Sequence, residues 1–120
     1  MDTSETYIKM RIRAAFDLPI KKADGELHYF GEGIFIDFKG NLFIPWLDGW
    51  LDLPRQDQLQ EMVLFNKSPC QLSSDFYWWH TNQPWSYPNI FTSMEQLLFA
   101  FVMNEKYNKT WDGEDWVKTS

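Results

Sequence analysis

Residues 7 to 16 alternate, with Ile8, Met10, Ile12, Ala14 and Phe16 on one side and Lys9, Arg11 and Arg13 on the other. That two-residue period predicts a half-buried strand ended by Pro19. Lys21 to Gly25 reads as a polar turn, and Leu27-His28-Tyr29-Phe30 as a second short strand. Ile34-Phe35-Ile36-Asp37-Phe38 and Leu42-Phe43-Ile44-Pro45-Trp46 flank Lys39-Gly40-Asn41. Two β-branched and aromatic runs around a glycine-containing loop predict a hairpin. Pro45 has no N–H for a ladder, so the second arm is expected at a sheet edge or ending there. Gly49-Trp50-Leu51 adds a short strand.

After Pro54 the period changes. Leu59, Met62 and Val63 predict a helix over 54–65, and Ser68-Pro69 with Leu72, Phe76 and Trp79 predicts a second over 69–79. The segment 82–89, with Pro84 and Pro88, is a loop. Thr92 and Glu95 form a capping box that opens a third helix over 93–107. This helix is apolar nearly all round from Leu97 to Met103, so it belongs at the heart of the core. An Asp112-Gly113 turn between Trp111 and Trp116 closes the chain. Strands followed by helices predict one α+β domain over 1–120. A small antiparallel sheet of three to five strands in the N-terminal half packs against two or three C-terminal helices. Gly31-Glu32-Gly33 opens a strand, with no third glycine and no helix after it, so it marks a bulge or bend and not a dinucleotide loop.

At 120 residues and 44% hydrophobic composition, the chain can bury a core without disulfide or metal. Seven Trp, five Tyr and ten Phe exclude a disordered chain. The longest stretch free of Asp, Glu, Lys and Arg, Phe76 to Met94, contains two prolines and several amides, which excludes a membrane-spanning helix. The opening Met1 to Glu5 lacks the charge and apolar run of a secretory signal, and Cys70 is the single cysteine. A cytoplasmic location is expected. Two glycosylation-type triplets, at Asn66 and Asn108, carry little meaning without a signal.

The net charge of −6 is concentrated in residues 24 to 66, where eight acids face only Lys39 and Arg55. That balance disfavours direct nucleic-acid binding and suits a basic protein partner. The acidic surface is assigned to Asp37, Asp48, Asp52 and Asp57. Within it, Asp48 is read as a turn residue, Asp52 as a helix cap, and Asp37 as a group keeping one sheet face wet.

Candidate chemistry is thin. Cys70 and His80, at opposite ends of one helix, would lie about 15 Å apart along its axis, too far for a nucleophile and its base. His28 and His80 lack ligand partners at helical or strand spacing, so no metal site, no cofactor and no catalytic residue is assigned. The segment Phe76 to Pro88 stands out, because one helix side cannot hide Phe76, Tyr77, Trp78 and Trp79 together. Tyr77, Trp78, His80, Trp85 and Tyr87 are therefore the expected protein-binding residues. The resulting expectation is a non-catalytic protein-binding module, a small inhibitor or adaptor. The alternative is a carbohydrate-binding or glycoside-hydrolase-like domain with Trp platforms and paired Asp/Glu. A homodimer pairing exposed rings across a two-fold axis suits the same composition.

Overall fold

The computed structural model describes residues 1–64, 67–84 and 87–118. The order is α1 (Glu5–Arg13), β1 (His28–Gly31), β2 (Ile34–Ile36), β3 (Leu42–Trp46), β4 (Gly49–Leu53), α2 (Gln56–Val63), α3 (Pro69–Thr81), a short 3-10 turn (Pro88–Ile90), α4 (Met94–Tyr107), β5 (Lys109–Trp111) and β6 (Trp116–Lys118). Strands β1 to β4 form an antiparallel meander in sequence order, and β5 and β6 form a separate hairpin. The fold is α+β, as the order of patterns predicts.

The strand expected over 7–16 is a helix. Tyr7, Met10, Arg11, Ala14 and Leu18 are buried at three- and four-residue spacing, whereas Ile12 and Phe16 of the alternating set are exposed. Arg11 inside the buried stripe disguised the helical period. Ser4 caps α1 by accepting from the Tyr7 N–H, and Arg11 and Arg13 in the last turn complement the helix dipole.

The β1–β2 hairpin turns at Glu32-Gly33, both at positive φ (52° and 79°). That geometry matches the right-handed twist of the strands and favours glycine at its second position. Tyr29 pairs with Phe35 and Gly31 with Ile34, so Phe30 is the extra residue of a bulge. The predicted hairpin is β2–β3, although β2 ends at Ile36 and Asp37 belongs to the turn. Strand β3 is central and not an edge. Its pairing with β2 covers only Phe35↔Phe43 and Ile36↔Leu42, so Pro45 lies beyond that ladder, opposite Trp50 of β4.

One sheet face carries Ile34, Leu42, Ile44, Leu51 and Leu53 into the core shared with the helices. Helix α4 lies at its centre: Leu98 to Met103 are all buried, and Phe99 stacks on Trp116 at 5.5 Å between ring centroids. The Trp116 Nε1–H donates to the Met10 carbonyl at 2.9 Å, which ties the terminal hairpin to α1. The α4 cap is shifted one residue from the expected Thr92/Glu95 box. Ser93 accepts from the Gln96 N–H, and the Gln96 side chain accepts from the Thr92 N–H.

Candidate interaction surface

Helix α3 starts where Ser68 accepts from the Gln71 N–H and Pro69 occupies the first turn. Leu72, Phe76 and Trp79 turn inward. Phe76 and Trp79 meet Phe101 of α4 at 5.2 and 5.4 Å. Tyr77 and Trp78 turn outward and are 66% and 68% exposed. His80 is half-buried, edge-on to Phe76 and Tyr77 at 5.2 and 5.4 Å. The outward face of the helix is formed by Cys70, Ser73, Ser74, Tyr77, Trp78 and Thr81, and it carries no charge. Asp75, the one acid of α3, points to Lys67 (2.7 Å) and not to this face. The lysine's hydrogen bond and that of Gln71 hold its carboxyl below the usual range.

Tyr87 does not join that surface. Its ring packs edge-on to Trp79 and Phe91, and its hydroxyl accepts from the Trp111 N–H at 3.1 Å. A half-buried phenol that satisfies a strand amide is a packing support for the terminal hairpin. Trp85 lies outside the described residues.

The acidic assignments divide. Asp48 is exposed in the β3–β4 turn, and Asp57 is exposed and ion-paired with Arg55 at 3.0 Å. Asp37 and Asp52 are buried, a correction to both surface expectations. The Asp37 carboxylate accepts from the N–H groups of Asp24 (2.9 Å), Lys39 (3.0 Å) and Asn41 (2.8 Å), and from the Asn41 amide (3.0 Å). Burial works to raise its pKa, but these hydrogen bonds outweigh it and hold the carboxyl down to about 2. Asn41 in turn accepts from Arg55 Nη1 and Gln58 Nε2, both at 2.8 Å, so the network clamps the β2–β3 turn to the start of α2.

Asp52 does not cap α2, because its position in β4 points it elsewhere. Its carboxylate accepts from Arg11 Nη2 and the Lys21 N–H, both at 2.9 Å. The cap position belongs to Arg55, whose N–H donates to the Gln58 side chain. Asp52 also borders a cavity of ≈ 310 Å³ with Pro19, Ile20, Glu61, Met62 and Lys106, which has no aromatic ring in its lining. Among the described residues no group of three or more His, Cys, Asp and Glu could hold a metal ion. No described helix is long and apolar enough to cross a membrane.

A second aromatic set was hidden in the strand alternation. Tyr29, Phe35 and Trp50 share the sheet face opposite Ile34, Leu42 and Leu51, with centroids 5.5 and 4.8 Å apart and planes tilted by 76° and 64°. Rings interlocked edge to face present a ridged strip and not a flat platform. No protein-family model, curated protein or solved structure matches the chain.

Proposed function

We propose that the chain is a non-catalytic protein-binding module, an inhibitor or adaptor, that engages its partner through the outward face of α3. The supporting observation is the pairing of two-thirds-exposed Tyr77 and Trp78 with a helix face that has no charge. A merely solvated helix face is rich in Lys and Glu. Tyr and Trp among small hydroxyl side chains are the composition of interface hot spots, where aromatic area is desolvated without the cost of burying ions. At ~25 cal/mol per Å², covering the exposed parts of both rings offers roughly 5–7 kcal/mol of gross apolar burial. The net charge of −6, with Asp48 exposed, would steer a basic partner and speed its association at low salt.

The carbohydrate alternative has weaker support. The Tyr29-Phe35-Trp50 strip is ridged, and Asp37 and Asp52 are already committed to internal partners. The test is a photo-crosslinking residue placed at position 78 and, as control, at exposed position 117. The proposal expects one dominant adduct in native lysate from position 78 and not from 117. Equal adduct patterns from both positions would refute it.

A further inference from the structure

The two edges of the four-stranded sheet differ. On the β4 side, Arg11 Nε donates to the Asp52 carbonyl at 2.8 Å and the Tyr7 hydroxyl donates to the Pro54 carbonyl at 2.7 Å, so α1 closes that edge. On the β1 side, His28, Tyr29 and Phe30 are all exposed. Among the described residues no hydrogen bond outside the β1–β2 ladder reaches residues 27–33. Half of the backbone donors and acceptors of an edge strand point outward, ready to pair with another extended chain.

We propose that the outer edge of β1 takes an extended peptide segment of a partner protein as a fifth strand, and that this segment carries Lys or Arg at both ends of an apolar centre. The surface is separate from α3 and the inference stands without it. The choice of occupant comes from charge. Glu26 and Glu32, three residues to either side of Tyr29, are exposed and take part in no ion pair among the described residues. In an antiparallel β1–β1 pair centred on Tyr29, Glu26 of each copy, just before the strand, would be brought near Glu32 of the other, just after it, and like charges brought together oppose self-pairing. The same two carboxylates attract a strand with basic ends. Beyond Glu32, Asp2 and Glu95 line the same cleft, with Met1 and Thr92, which extends the negative field past the hairpin turn. The apolar centre has its own receptor. A residue opposite Tyr29 would share the face of the Tyr29-Phe35-Trp50 strip, where its side chain continues the ridge of rings. The bulge at Phe30 twists the end of the edge, so the added strand is short. This is recognition by strand addition: main-chain hydrogen bonds supply affinity, and alternate side chains with end charges supply selectivity.

The probe is fluorescein-labelled Lys-Val-Thr-Val-Thr-Val-Arg, read by anisotropy at low salt, beside the same peptide with Glu at both ends and a version N-methylated at alternate residues. The expected result is binding of the basic peptide about tenfold tighter than the acidic one. N-methylation should abolish binding, and backbone exchange should slow at the outward-facing amides of β1. Charge reversal by Glu26→Lys with Glu32→Lys, both at exposed positions, should invert the order of the two peptides. Failure of the basic peptide to bind, equal affinities, or insensitivity to N-methylation would overturn the proposal. So would concentration-dependent dimerisation that protects β1 without peptide, which would make a second copy the occupant.

Discussion

Replacing Asp37 by Asn preserves the shape of the side chain but exchanges one carboxylate oxygen for an NH₂ group. The carboxylate accepts from four donors, two on each oxygen. However the amide is turned, two of those donors face another donor. Each buried donor left without an acceptor costs about 1–3 kcal/mol, so Asp37→Asn should destabilise the fold by roughly 2–5 kcal/mol. A domain of this size has a total stability of about 5–15 kcal/mol, which makes the loss large. With a urea slope of about 1–3 kcal/mol per M, the unfolding midpoint should fall by roughly 1–3 M. The pH dependence adds a second signature. In the unfolded chain this carboxyl takes up its proton near 4, and in the folded chain only at about 2. Its contribution is therefore complete above about pH 4 and is lost as the pH falls through 2, and the variant lacks that part of the acid slope. A variant whose urea midpoint stays within ~0.3 M of the parent would refute the role assigned to the Asp37 cluster.

Arg11→Met should destabilise by about 3–5 kcal/mol, because it leaves the buried Asp52 carboxylate with the Lys21 N–H alone. Adding Asp52→Leu should recover much of the loss in thermal melts. Burial, followed by the nearby carboxylates of Glu95 and Asp2, pushes the Tyr7 phenol well above its ordinary range. The unfolded chain then ionises first, so stability present below about pH 10 should decline above it. Tyr7→Phe should flatten that alkaline slope and cost about 1–2 kcal/mol at neutral pH, both measured by urea titration.

The meander was legible because a two-residue period and its turn glycines are local signals, and α4 because an all-round apolar helix has only one place to go. Helix α1 was not, since its buried stripe includes Arg11, whose partner Asp52 lies 41 residues away. The burial of Asp52 was hidden for the same reason, since its donors come from α1 and Lys21. Asp37 differs: Lys39 and Asn41 are its neighbours in the turn, and the distant contribution that closes over it is the Asp24 N–H. On the candidate surface, the crowding of four consecutive aromatics forced rings outward, so Tyr77 and Trp78 could be read from sequence. The inward turn of Tyr87 could not, because it depends on the Trp111 N–H of a hairpin formed far along the chain.

The most direct test of the α3 face is quantitative affinity capture from native lysate with the parent chain and with Tyr77→Ser/Trp78→Ser. Both rings are two-thirds exposed, so the double variant should keep the parent's circular dichroism and melt within a few degrees of it. A near-stoichiometric partner should be bound by the parent and lost, by tenfold or more, from the folded variant, an effect of at least ~1.4 kcal/mol. Full retention of that partner by the folded variant would contradict a binding role for the α3 face.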